Sequence, residues 1–242
     1  MKLTANEIHS AKVPWNYCLI KLPQSYLTML HNHYEYKAGN TSIMIDTSFD
    51  PATYAPRWGM VVKNPENLLY KRGVAESMGW KTKVETIPGD LVYFDYFSCL
   101  QALGKLANPS LAGENPHWYQ SDNDLYVLIR YDSLIMAVRE DRVVCLNGNV
   151  VLRPSVKHIK TRLLLPKFLQ KKEEELVGEV VYSGTPNEEY LDGVRDAKGI
   201  ATGDTCVIKK LKLRLENTID STQEKGLYFV QLKNIWLILN RD

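Results

Sequence analysis

One order of landmarks runs through this chain twice. In the first pass a short strand-like run at 17–22 ends at Pro23, and a loop carrying Ile43-Met44-Ile45 follows. Then come Gly59-Met60-Val61-Val62, a loop holding Asn64-Pro65, and Pro88-Gly89-Asp90 ahead of Leu91-Val92-Tyr93-Phe94. The pass closes with 125–129, a turn at Tyr131-Asp132-Ser133 and a run at 134–138. In the second pass a run at 149–153 ends at Pro154, and a loop carries Leu163-Leu164-Leu165. Gly178-Glu179-Val180-Val181, Thr185-Pro186-Asn187 and Thr202-Gly203-Asp204 ahead of Thr205-Cys206-Val207-Ile208 follow. This pass closes with 227–230, a turn at Leu232-Lys233-Asn234 and Ile235–Leu239. Such a repeat predicts two copies of one small domain rather than a single large one.

The copies differ in length. The first is longer, with most of its excess between Phe97 and Asp122, and the charged turn Glu140-Asp141 marks the boundary. The expected organisation is an N-terminal tail over 1–12, a first domain over 13–139 with an insertion at 98–122, and a second over 140–242. Each copy is close to the smallest size that supports its own core.

The apolar runs are short, rich in β-branched and aromatic residues, and bounded by Gly, Pro, Asn or Asp. That pattern predicts an all-β chain of small sandwiches or barrels. Helical signals are limited to 98–106 and to weak spacing over 164–176, where Pro166 opposes an early start.

Two landmarks carry physical content. In Gly89-Asp90 and Gly203-Asp204, glycine accepts positive φ and aspartate bonds nearby backbone, so each pair predicts a tight turn feeding a strand. Ile43, Met44 and Ile45 sit between small polar flanks, as in a flexible loop. Three consecutive large apolar side chains there cannot all turn into one small core. Leu163, Leu164 and Leu165 fill the matching slot, beside the charge run Lys171-Lys172-Glu173-Glu174-Glu175. An apolar cluster on a polar loop is a docking end for a partner, whereas the charge run reads as a solvated face.

Both halves resemble the GroES-type co-chaperonin family. Its pattern is an opening strand, a mobile loop with an apolar tripeptide, Gly-x-Val-x-x-Val/Ile-Gly, Val-Gly-Asp-x-Val-x-Phe, and two closing strands. Here Ile87-Pro88-Gly89-Asp90-Leu91-Val92-Tyr93-Phe94, Val127-Leu128-Ile129 with Leu134-Ile135-Met136-Ala137-Val138, and Val177-Gly178-Glu179-Val180-Val181-Tyr182-Ser183-Gly184 carry the likeness. The first copy lacks the second glycine, having Gly59-Met60-Val61-Val62-Lys63-Asn64, and the second has Thr205-Cys206-Val207-Ile208 without the aromatic. The segment 98–120 has no evident family counterpart.

The resemblance implies two tandem GroES-like, partly open OB-like β-barrels with long mobile loops. It also implies a ring-shaped homo-oligomer that caps an ATP-loaded, GroEL-type chaperonin ring and assists folding. Ile43, Met44, Ile45, Leu163, Leu164 and Leu165 would dock on the chaperonin. No cofactor is expected, ATP being bound by the partner. The competing reading is a non-enzymatic assembly protein, such as a viral or particle component, that keeps the barrels and not the chaperonin.

Other classes are disfavoured. A net charge of +2, with both halves near neutral, offers no basic surface for nucleic acid, and the basic amphipathic run 209–215 fits one wet strand face. The longest apolar runs fall far short of a membrane span and Met1–Ser10 has no signal-peptide core, so a cytoplasmic location is expected. Cys18, Cys99, Cys145 and Cys206 are scattered, without a Cys-x-x-Cys, and read as buried thiols. His31-Asn32-His33 lacks a third ligand at recognisable spacing, so no metal is expected. No Gly-x-Gly-x-x-Gly turn, Gly-x-Ser-x-Gly elbow or phosphate loop appears, so no enzyme is expected.

Overall fold

The computed structural model describes residues 4–28, 37–38, 41–42, 55–71, 73–74, 77–104, 117–140, 142–158, 171–187, 189–190, 199–208, 213–214 and 227–239. The fold is all-β with short helices. Its strands are β1 (Tyr17–Lys21), β2 (Lys37–Ala38), β3 (Thr41–Ser42), β4 (Trp58–Lys63), β5 (Trp80–Lys81), β6 (Leu91–Phe94), β7 (Trp118–Ser121), β8 (Asp124–Arg130) and β9 (Leu134–Arg139). They continue with β10 (Arg142–Cys145), β11 (Asn149–His158), β12 (Lys171–Ser183), β13 (Glu189–Tyr190), β14 (Thr205–Ile208), β15 (Leu213–Arg214), β16 (Tyr228–Gln231) and β17 (Ile235–Leu239).

The chain divides into two compact units, Met1–Gly79 with Lys83–Arg139, and Trp80–Thr82 with Glu140–Asp242. In the first, antiparallel strands lie in the order β9-β6-β4-β1-β8-β7. In the second the order is β17-β14-β12-β11-β16-β15. Taken landmark by landmark, these are one topology.

The pair registers match as well. Cys18 pairs Ile129 as Val150 pairs Val230, and Ile20 pairs Val61 as Leu152 pairs Val180. Gly59 pairs Val92 as Gly178 pairs Cys206, and Phe94 pairs Leu134 as Ile208 pairs Ile235. Each opening strand is irregular at the same step, between Leu19 and Ile20 and between Val151 and Leu152. Each is entered through a positive φ, at Asn16 (66°) and Gly148 (63°). The carbonyls of those residues accept from Tyr131 N at 2.6 Å and Leu232 N at 2.9 Å.

One set of positions therefore makes both cores. In the second unit it is Val150, Leu152, Val180, Cys206, Ile208, Val230, Leu232 and Ile235. Its counterparts Cys18, Ile20, Val61, Val92, Phe94, Ile129, Tyr131 and Leu134 are all buried in the first. Inward positions alternate along the strands, as period-2 burial requires.

Gly59 and Gly178 share a reason to be glycine. A Cβ on Gly59 would meet Ile20 Cγ2 and the Lys21 carbonyl oxygen at 2.7 Å or less. One on Gly178 would meet the Arg153 carbonyl oxygen at 3.1 Å and Leu152 Cβ at 3.2 Å. The first is a clash with backbone and the second a tight contact. Gly59→Ala is expected to cost about 1–3 kcal/mol by overpacking and Gly178→Ala less, which urea unfolding measures.

Several elements differ from the sequence expectation. The tail expected over 1–12 contains a helix, Ala5–Ser10, closed by a capping box in which Thr4 N donates to Glu7 Oε2 at 2.7 Å. Its Ile8 is buried with Leu19 and Tyr126. The helix expected at 98–106 is Tyr96–Leu103, because Asp95 accepts from Phe97 N at 2.9 Å and Ser98 N at 3.3 Å and caps it earlier. The weak helical spacing over 164–176 yields, within the described residues, to strand β12. Cross-strand pairs Val156 with Glu173 and Lys157 with Lys172 override propensity there. The expected insertion holds β7, which pairs with β8 as β15 pairs with β16, so its end has a counterpart in the second copy. Residues 105–116 lie outside the described residues.

Candidate functional site

Ile43-Met44-Ile45 and Leu163-Leu164-Leu165 lie outside the described residues; their roots do not. Each triplet belongs to the connection between an opening strand and its antiparallel neighbour, β1 to β4 and β11 to β12. The first root carries a small ladder, with Lys37 paired to Ser42 and Ala38 to Thr41, ending one residue before Ile43. The second carries a long one, paired out to His158 with Lys171. Both differ from the wholly flexible flanks expected from composition. The charge run 171–175 lies on a paired strand.

The Gly-Asp turns brace these roots. Asp90 N donates to the Ile87 carbonyl at 3.1 Å, and Gly89 has φ 97°. Pro88 then occupies the second and Gly89 the third turn position, as a type II turn needs. Asp204 N donates to the Ala201 carbonyl at 3.2 Å, and Gly203 has φ 95°. Gly89 N donates to the Val61 carbonyl at 2.8 Å, while Val61 N donates to the Asp90 carbonyl at 2.9 Å. Gly203, Val180 and Asp204 repeat both bonds, each at 2.8 Å. Every triplet connection therefore returns into a strand clamped by its Gly-Asp turn.

The aspartate side chains differ. Both accept at 2.9 Å from the backbone two residues before the glycine, Ile87 N for Asp90 and Ala201 N for Asp204. The Asp90 carboxylate, 1% exposed, also takes a bidentate ion pair from Arg139, with Nε to Oδ1 and Nη2 to Oδ2 both 2.8 Å. Arg139 Nη2 further donates to the Glu85 carbonyl at 3.0 Å. In the sequence the position matching Arg139 is Asn240, which lies outside the described residues. Sequence reading found the aspartates and missed Arg139. Its signal was a lone arginine closing an apolar strand.

No group of three or more His, Cys, Asp and Glu suited to a metal occurs among the described residues. His31 and His33 lie outside them. His117 packs edge-on to Tyr17 at 5.7 Å. All four thiols are buried. Burial pushes the Cys18 thiol up to about 12, against a weaker lowering contribution from Thr86, and pushes Cys99 up as well. The thiolate is the reactive form, so a disulfide-exchange reagent at pH 8 is expected to leave both untouched until urea unfolds the chain. Among the described residues no helix is long and apolar enough to cross a membrane.

The apolar surface that sequence reading passed over is β17. Trp236 is 63% exposed, Leu237 57% and Leu239 43%. Five consecutive apolar residues, Ile-Trp-Leu-Ile-Leu, exceed what one buried strand face requires. No family model and no curated protein matches the chain.

Proposed function

We propose that this chain is a co-chaperonin-like lid. In this reading each unit is a GroES-like barrel, and the chain joins copies of itself into a ring-shaped homo-oligomer. The ring closes over an ATP-loaded, GroEL-type chaperonin and assists folding without catalysis or a cofactor of its own. Ile43, Met44 and Ile45 dock from the first unit, and Leu163, Leu164 and Leu165 from the second.

One observation supports the reading above others. An apolar tripeptide recurs in the connection between the same two strands of two units that share strand order, register and core. A core has no use for three consecutive large apolar residues in a connection braced at its root, and a partner's groove does.

The magnitudes suit a lid that must come off. Burying three such side chains yields roughly 1.5–3 kcal/mol each. Fixing the loop backbone on docking offsets part of that gain. One loop binds weakly, and several on a rigid scaffold bind together through effective concentration.

The competing reading, an assembly protein without a chaperonin, draws on the exposed apolar strand β17. A refolding assay separates the two. With chaperonin and ATP, the yield of an aggregation-prone enzyme is expected to rise when this chain is added. A yield that ignores the chain favours the assembly protein.

A further inference from the structure

Strand β17 ends its sheet, with no strand beyond it among the described residues. Edge strands of soluble proteins are blunted by charge, proline or shortness. Ile235–Leu239 has no charge and no proline, and all five residues are large and apolar. The exposure extends a row on one sheet face, because Val177 pairs Val207 and Val207 pairs Leu237. Directly opposed residues share a face, so the row runs across three strands and ends on exposed Leu237.

The first unit supplies an internal comparison. Its equivalent row is Trp58, Tyr93 and Met136 by the same pairings. There the terminal residue, Met136, is 1% exposed, and Ile135, the counterpart of Trp236, is 4% exposed. The difference is one of position: β9 is an interior strand of its sheet, whereas β17 is the last strand of its own among the described residues.

We propose that a second copy of this chain covers β17 by edge-to-edge strand addition, Ile235–Leu239 of one copy pairing antiparallel with Ile235–Leu239 of the other. A strand edge offers a row of backbone N–H and C=O groups that another strand satisfies. In a self-pairing centred on Leu237, Leu237 faces Leu237 and Trp236 faces Ile238, while Ile235 stays turned to the core behind the irregularity opposite Val207 and Ile208. Apolar residues oppose apolar ones, and no like charges meet. Such an interface is isologous, so it joins chains in pairs. The proposal does not rest on the chaperonin reading.

The test is the solution mass of the full chain at tens of micromolar, without chaperonin or nucleotide, for wild type, Leu237→Lys and Leu239→Lys. The wild type is expected as an even number of chains. A lysine on this edge is expected to cut that mass at least by half while leaving the far-ultraviolet circular dichroism unchanged. Leu237 and Leu239 lie on the face away from the core, so the second variant carries the test if the first fails to fold. A wild type that stays monomeric, an odd-numbered wild-type assembly, or two folded variants that keep the wild-type mass would overturn the proposal.

Discussion

Asp90→Ala is expected to lower the unfolding free energy by about 3 kcal/mol, and Asp204→Ala by about 1 kcal/mol. The two aspartates occupy the same place in the same turn, and each accepts one backbone N–H at 2.9 Å. Among the described residues, only Asp90 also holds an arginine, through two further bonds of 2.8 Å. Its carboxylate is buried, while Arg139 keeps a third of its side chain in water. Stranding a fully buried charge costs about 3–5 kcal/mol. The stranded Arg139 recovers some hydration, which places the loss at the low end. Arg139→Lys is expected to cost less than Asp90→Ala but more than a neutral change, since an ammonium cannot reproduce the planar two-bond fork. Urea unfolding followed by tryptophan fluorescence measures all three. Equal losses for Asp90→Ala and Asp204→Ala would show that the Arg139 ion pair adds nothing to stability.

The second large effect concerns the triplets. Replacing Ile43, Met44 and Ile45 together by Ser removes roughly 1.5–3 kcal/mol of apolar burial per residue from each docked loop. Loops that act together share an avidity which can exceed a single affinity by about 10²–10⁴. Silencing one class of loop is therefore expected to weaken chaperonin binding by at least 100-fold. The matching change at Leu163, Leu164 and Leu165 is expected to act in the same direction, and the two together to abolish binding. A readout on stability separates docking from packing. Side chains that serve a partner leave the unfolding midpoint in place, whereas triple truncation of core residues costs about 2–5 kcal/mol per residue. A triple-serine variant that binds at wild-type affinity would take that loop out of the mechanism.

The strands were legible because their signal is local. Leu91–Phe94, Thr205–Ile208 and Ile235–Leu239 are short apolar runs between turn residues, and they form strands over those bounds. The Gly-Asp turns were legible for the same reason: their backbone demands are written in two adjacent residues. What the sequence hid was nonlocal. Strand β12 starts at Lys171 because β11 lies alongside it, and no property of Lys171-Lys172-Glu173 announces that pairing. The ladder joining Glu189 to Lys81 and Tyr190 to Trp80 is two residues long, too short for any period to show. Arg139 meets Asp90 across a strand pair, so neither residue alone foretells the other. At the candidate site, the sequence located the triplets and the repeat that frames them. The braced strands from which they depart became visible only in the fold.

In the proposed function this chain docks on a chaperonin when the chaperonin is loaded. The most direct measurement is the mass of a mixture of the chain with a GroEL-type ring, with ATP and with no nucleotide. The expected result is a complex of defined stoichiometry that forms with ATP and disappears without it. Two separate species in both conditions, with the chain at tens of micromolar, would contradict it.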